Sequence, residues 1–111
     1  MTQSDFDARL AGLIANLDEA ATLLREHGEG QWLAWLLRCR AELVAHDRAA
    51  FDHILAAFGG MGSFNDLLIL AVNGHAVRPD QQNVVNERLG DLRHLIWADA
   101  TDLRHNLSAS P

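Results

Sequence analysis

The chain has 111 residues, a mass of 12.2 kDa and a formal net charge of −6, and all nine of its basic residues are Arg. An acidic surface repels phosphate backbones and no dense Arg cluster offsets this repulsion, which argues against nucleic-acid binding. The longest apolar run, LLILAV, is far shorter than the roughly 20 residues of a membrane-spanning helix, so we expect no membrane segment.

The first predicted helix begins at Ser4 or Asp5, either of which can cap it. Its apolar residues from Phe6 to Leu24 recur three and four positions apart, which places them along one side of a helix. The pattern stops at Gly28, a residue typical of helix C-termini. His27, like His46 and His105 further on, falls near a predicted helix end, where an imidazole complements the helix dipole.

The second predicted helix, from about Glu29 to Ala45, is apolar over a wide angle. Two stripes about 100° apart account for this width: one contains Trp32, Leu36, Cys39 and Leu43, and the other contains Leu33, Leu37 and Val44. This pattern predicts a central helix that is contacted from two sides. Arg40 falls between the stripes and needs an acidic or carbonyl partner if it is buried.

Two further helices complete the predicted fold. Asp47 is a suitable N-cap for a third helix that ends at Gly59 and Gly60, and a final helix runs from about Asp80 to His105. The intervening LLILAV segment is either a short buried helix or an extended stretch, followed by a turn at Asn73-Gly74.

Together these elements predict an all-α fold, a single four-helix domain over residues 1–107. It includes a Gly-rich corner and a short irregular or extended segment before the last helix. We expect residues 108–111 to form a flexible tail.

The Gly-rich corner is the stretch GGMGSFND, residues 59–66. Free backbone N–H groups in such a bend can bind an anion, but a P-loop needs a Lys and the dinucleotide fingerprint needs a glycine where Asn65 stands. Ser63 and Asp66 are spaced like a capping box. We therefore interpret the stretch as a tight structural corner and keep a ligand or partner contact as the alternative. In the structural interpretation, Met61 and Phe64 turn inward. The residues that a ligand or partner contact would use are Gly59, Gly60, Met61, Gly62, Ser63, Asn65 and Asp66.

A resemblance to a known family rests on this corner. The run AFGGMGSFNDLLI, the NGH turn at Asn73 to His75 and the run NERLGDLRHLIWADA resemble a family of small bacterial proteins of unknown function. The shared pattern extends from Trp32 to Ala100. It implies a mostly helical domain and brings no activity, cofactor or catalytic residue with it.

Other candidates for chemistry are few. Cys39 lies on an apolar stripe and is predicted to be a core residue, and the lone cysteine excludes an internal disulfide. No recognised metal-ligand spacing occurs, and Glu87, Asp91 and His94 share a face that we interpret as solvated. We expect no cofactor and no metal.

One polar pair keeps an enzymatic interpretation open. If the LLILAV segment doubles back, Asp66 could orient the imidazole of His75 for acid–base chemistry, with Asn73 nearby. Such pairs also occur as hydrogen bonds that stabilise turns.

The tryptophans suggest a different kind of site. Trp32 and Trp97 fall on or beside apolar stripes and are predicted to be core residues, whereas Trp35 lies at a stripe's margin. A partly exposed Trp suits a protein interface, so Trp35 is a candidate anchor, with a packed boundary residue as the alternative.

These observations favour a non-catalytic domain that binds a protein partner, of the immunity or antitoxin type. Because the chain is acidic, we expect the partner to be basic. The alternative is a small hydrolase or small-molecule-binding protein that uses Asp66 and His75. The N-terminus, MTQSDFDARL, lacks the basic start and apolar core of a secretory signal, so we expect a cytoplasmic protein.

Overall fold

The computed structural model describes residues 1–59 and 62–109. It contains four α-helices: α1 (Gln3–Glu26), α2 (Gly30–Val44), α3 (Ala49–Ala56) and α4 (Gln82–Ala109). Three short 3₁₀ turns, at Phe64–Asp66, Ala71–Asn73 and Pro79–Gln81, lie between α3 and α4, and these described ranges contain no strand. The prediction of an all-α, four-helix domain is confirmed.

The start of α1 differs from the prediction. Its N-cap is Thr2 rather than Ser4 or Asp5, because Thr2 and Asp5 form a reciprocal capping box. The Asp5 N–H donates to Thr2 Oγ1 at 3.0 Å, and the Thr2 N–H donates to Asp5 Oδ2 at 3.2 Å. Asp5 therefore lies inside the first turn, as the residue that completes the box.

Helices α1 and α2 end in the same way. After α1, Gly28 adopts a φ of 74°, and the Glu29 N–H bonds back to the Leu24 carbonyl. After α2, His46 adopts a φ of 59°, and the Asp47 N–H bonds back to the Glu42 carbonyl. Both ends are Schellman motifs, but only the first has glycine at the left-handed position.

The remaining helix ends lie within a few residues of their predicted positions. The N-cap of α3 is Arg48, one residue after the predicted Asp47, although Asp47 Oδ1 does accept the Ala49 N–H at 3.0 Å. Helix α3 ends at Ala56, and α4 begins at Gln82 after the Pro79–Gln81 turn. Because α4 continues to Ala109, the predicted tail overlaps this helix by two residues; Ser110 and Pro111 lie outside the described residues.

The core is the interior shared by all four helices. Helix α1 packs mainly on α4 and α2, and α4 also packs on α3. The largest fully buried side chains come from each helix and from the segment before α4: Leu13, Leu17, Leu24, Leu36, Ile54, Phe64, Ile69, Leu89, Leu92, Ile96 and Leu103. Cys39 is buried among them, as predicted.

Helix α2 is less enclosed than its sequence predicts. It packs on α1 and α3 through the stripe that contains Leu36 and Leu43, but Leu37 and Val44 of the second stripe are 42% and 53% exposed. Arg40 does find the predicted acidic partner, because its Nε donates to Asp18 Oδ1 at 2.6 Å. One apolar face of α2 therefore has no neighbour within the described chain.

Among the helices that the structure describes, none combines the length and the apolar composition of a membrane-spanning segment.

Candidate functional site

The corner is closed by hydrogen bonds to the end of α3. The Phe64 N–H donates to the Ala57 carbonyl at 2.8 Å, and Asn65 Nδ2 donates to the Phe58 carbonyl at 3.1 Å. Asp66 Oδ2 accepts the Gly62 N–H at 2.7 Å. This last contact corrects the predicted capping box: the Asp66 carboxylate reaches the N–H one residue before Ser63.

The Ser63 side chain, the other member of the predicted box, does not form it either. Ser63 makes no capping hydrogen bond, and its Oγ is buried with no partner among the described residues. Gly62 adopts a φ of 78°, whereas Gly59 does not adopt a positive φ. Gly60 and Met61, which the sequence places in the candidate contact, lie outside the described residues.

Phe64 fixes the corner to the helices. Its side chain is fully buried, as predicted, and its ring lies 5.3 Å from the rings of both Trp32 and Trp35 and 5.8 Å from that of Phe58. Trp35 is therefore part of an aromatic cluster that packs against the core. Trp97, which was predicted to be a core residue, is 45% exposed instead.

The LLILAV segment is resolved in favour of the extended alternative. Leu67 and Leu70 have extended backbone angles, and the chain then turns through Ala71–Asn73 to Gly74, whose φ is 86°. The turn predicted at Asn73-Gly74 is thus confirmed, with a 3₁₀ turn before the glycine.

Side chains of α4 take the place of a neighbouring strand along this extended segment. Asn86 Oδ1 accepts the Ile69 N–H at 2.7 Å, and Asn86 Nδ2 donates to the Ile69 carbonyl at 2.9 Å. Gln82 Oε1 accepts the Ala71 N–H at 2.8 Å. A lone strand next to a helix would otherwise leave buried peptide groups unpaired, which is costly.

Arg93 holds the beginning of the same segment. Its Nη1 donates to the carbonyls of Phe64 at 2.9 Å and Leu67 at 2.7 Å, and its guanidinium lies 5.9 Å from the centre of the Phe64 ring. Burial lowers the pKa of Arg93, while the nearby Asp66 carboxylate acts in the opposite direction.

His75 holds the end of the segment. Its Nδ1 accepts the Leu70 N–H at 3.0 Å, so the neutral ring carries its proton on Nε2, which faces Glu29 Oε1 at 3.3 Å. The neighbouring His27 Nδ1 lies 2.8 Å from the Ala76 carbonyl, and the Ala76 N–H donates to the His27 carbonyl. His27 thus binds the returning chain to the end of α1.

The geometry does not bring Asp66 and His75 together. The four extended residues between Asp66 and the turn span about 13 Å at roughly 3.3 Å per residue, and the chain does not double back within them. Both ring nitrogens of His75 and the Asp66 carboxylate have other partners. A general base needs a free lone pair, and the His75 ring offers none in this arrangement.

The described residues contain no group of three His, Cys, Asp or Glu side chains that could hold a metal ion. Burial raises the pKa of the Cys39 thiol to about 12, so this cysteine is a poor nucleophile.

Sequence reasoning missed the side chains that organise the segment: Glu29, Gln82, Asn86 and Arg93. A signal for two of them exists, because Asn86 and Arg93 each follow directly after an apolar residue of the α4 stripe, Val85 and Leu92. A polar group at that margin needs a specific partner. The identity of the partner, a distant backbone, has no local sequence signal.

Two exposed apolar features remain outside these internal contacts. Trp97 lines a shallow cavity of about 320 Å³ with Phe58, Asn65, Gly90, Arg93 and His94. The other feature, which we call the outer stripe of α2, consists of exposed residues spaced alternately four and three apart: Gly30, Ala34, Leu37, Ala41 and Val44.

Comparison with known proteins gives a match to one family model, over slightly less than half of the chain, and no activity. Residues 25–78 match the model of a domain of unknown function, DUF6966. The matched part extends from the last turn of α1 to the end of the extended segment and its turn, and so contains the corner and the outer stripe of α2. No curated protein and no solved structure matches the chain.

Proposed function

We propose that this protein is a non-catalytic domain that binds a protein partner, and that the outer stripe of α2 is its docking surface. The observation that carries the proposal is the exposure of a continuous apolar helix face in a small acidic protein. Leu37 and Val44, half exposed and seven residues apart, are the large side chains of this face.

The spacing of the stripe indicates the form of the partner. Apolar residues alternately four and three positions apart follow the 3.5-residue repeat by which two helices pack side by side. The small residues Gly30, Ala34 and Ala41 would allow a partner helix to approach closely, with Leu37 and Val44 packing between its side chains. We therefore propose that an amphipathic helix of the partner occupies the stripe.

Charge would contribute to recognition. The net charge of −6 favours a basic partner, because complementary fields accelerate encounter. Arg38 lies beside the stripe and has no ion pair within the described chain, so it offers a local contact for one acidic side chain of the partner. A bacterial, cytoplasmic inhibitor of the immunity or antitoxin type fits this combination of small size, acidity and an exposed binding helix.

The use of the polar groups at the corner also supports binding over catalysis. Asp66, Asn65, Gln82, Asn86, Arg93 and His75 each hold the backbone of the segment between α3 and α4. In this proposal the corner builds the scaffold, and the α2 surface carries the function.

The test compares partner capture by the parent, by the double variant Leu37→Glu/Val44→Glu and by the control Val84→Glu. Val84 is 63% exposed on α4, so the control places the same charge on another apolar surface position. We expect the parent and the control to retain one basic protein and the double variant to bind it at least tenfold more weakly, with unchanged thermal unfolding. Equal binding by all three proteins would refute the stripe as the docking surface.

A kinetic measurement tests the charge component. Because the Debye length is about 8–10 Å near physiological ionic strength, the association rate of a basic partner should fall as salt rises. An association rate that does not change between low and high salt would contradict electrostatic attraction of the partner.

A further inference from the structure

A cavity at one end of the bundle shares no lining residue with the corner or the outer stripe. Its floor is apolar and receives side chains from all four helices: Phe6 and Leu10 of α1, Leu43 of α2, Phe51 of α3 and Leu107 of α4. Its volume is about 160 Å³. An apolar cavity of about 150 Å³ is large enough to bind benzene.

The rim of the cavity is polar and comes from the turn between α2 and α3. His46, Asp47 and Arg48 line it. The Asp47 carboxylate is engaged at the start of α3, where it accepts the Ala49 N–H. Arg48 is exposed and has no hydrogen-bond or ion-pair partner within the described chain. The cavity mouth therefore presents an unpaired guanidinium beside an apolar floor.

We propose that this cavity binds a small monocarboxylate with an aromatic or branched apolar body. The apolar body occupies the floor, and the carboxylate pairs with Arg48 at the rim. A guanidinium binds carboxylates through two parallel N–H donors, which favours this anion over an uncharged group of the same size. A ligand amine would instead meet the positive charge of Arg48, while the Asp47 carboxylate on the same rim already accepts the Ala49 N–H.

The backbone of the rim adds to the case for a built site. His46 is the only non-glycine residue with a positive φ in the described chain. Its conformation turns the chain directly from α2 into α3 and thereby places three polar residues at the mouth of an apolar cavity. Residues in sparsely populated backbone conformations cluster at ligand sites, although the same conformation also ends helices.

The experiment uses three probes with the same ring: benzoate, benzyl alcohol and benzylamine. Each is titrated into the ¹⁵N-labelled full chain while amide shifts are followed. We expect benzoate to move the amides of residues 46–51 with a Kd on the order of 1 mM, benzyl alcohol to bind severalfold more weakly and benzylamine to bind weakest. Equal affinity for the three probes, or shifts centred on the Trp97 cavity, would overturn the proposal.

Two variants separate the floor from the rim. Arg48→Gln should weaken benzoate binding about three- to tenfold and leave benzyl alcohol unchanged, whereas the control Arg25→Gln, at an exposed position near the end of α1, should alter neither. Phe6→Trp enlarges a floor residue and should weaken all three probes, with Leu107→Trp as the second choice if the first variant unfolds. If Arg48→Gln binds benzoate like the parent, the assignment of the carboxylate to Arg48 is wrong.

This site is independent of the protein-binding proposal. The variants that test the outer stripe, Leu37→Glu and Val44→Glu, change residues that do not line the cavity. A variant that loses one of the two binding functions should therefore keep the other.

Discussion

The positive φ of Gly62 is a property of a single residue whose effect on stability can be measured. The three glycines of the corner look equivalent in the sequence, but only Gly62 adopts a positive φ among those that the structure describes. A Cβ on Gly59 or Gly62 would meet no atom within 4 Å. Any difference between substitutions at the two positions therefore reports backbone strain rather than steric clash.

We expect Gly62→Val to destabilise the protein by about 1–3 kcal/mol, because a β-branched residue is strained at a φ of 78°. Gly59→Val, the matched control, should change the free energy of unfolding by less than about 0.5 kcal/mol. Urea unfolding of both variants measures the difference. Equal stabilities of the two variants would show that the positive φ of Gly62 does not constrain the corner.

At His46 the reverse substitution, to glycine, can be tested. It stands where glycine ends α1, so His46→Gly should relieve left-handed strain and stabilise the protein by about 0.5–1 kcal/mol. Ala45→Gly, one residue earlier with a φ of −79°, should destabilise by a similar amount because glycine there only adds freedom to the unfolded chain. Thermal unfolding distinguishes these signs, and destabilisation by His46→Gly would indicate that the imidazole itself makes a stabilising contact.

At the scale of elements, the helices could be predicted because their signals are local. Apolar periodicity placed α1 to α4, Gly28 marked the end of α1, and Asp47 lies one residue before the N-cap of α3. The N-cap of α1 lies before the predicted Ser4 or Asp5, because Thr2 is the residue that forms the capping box with Asp5. Periodicity alone also could not tell which apolar stripe of α2 finds a neighbour.

The segment between α3 and α4 could not be predicted in the same way. Its conformation depends on hydrogen bonds from side chains 11 to 29 residues away in sequence, such as Gln82 to Ala71 and Arg93 to Phe64. No local pattern encodes such pairs. For the same reason, the sequence could not show that Asp66 and His75 have other partners, so the contact considered between them is not the one that either side chain makes.

The contribution of Asn86 to stability can be measured, because its side chain pairs with the extended segment where a neighbouring strand otherwise would. Asn86→Ala removes the group that pairs with both the N–H and the carbonyl of Ile69, so we expect a loss of about 2–4 kcal/mol in the free energy of unfolding. Asn83→Ala, on an exposed position of the same helix, should be neutral or slightly stabilising because Ala favours helices. Similar effects at both positions would contradict a special role for Asn86.

In the whole molecule, the single thiol ordinarily titrates in a pH range in which no other side chain does. The chain contains neither Tyr nor Lys, so Cys39 is the one side chain with an ordinary pKa between those of His and Arg. Burial raises the pKa of Cys39 from 9.0 to about 12 in the folded protein. The unfolded chain therefore releases this proton at lower pH than the folded chain does.

This difference predicts how stability changes at alkaline pH. The folded state retains the thiol proton above pH 9 while the unfolded state loses it, so the free energy of unfolding should fall as pH rises, by at most about 1.4 kcal/mol per pH unit. Stability from this group should be complete below pH 9 and decline steadily towards pH 11. Urea unfolding followed by circular dichroism measures it, with Cys39→Ala as the control that lacks the titrating group. The variant should be less stable than the parent at pH 7, since it leaves a small cavity, but its stability should stay nearly constant from pH 9 to 11. If the stability curves of parent and variant ran parallel over this range, the thiol would ionise as readily in the folded chain as in the unfolded chain. Water would then reach Cys39, although the structure indicates that the four helices exclude it.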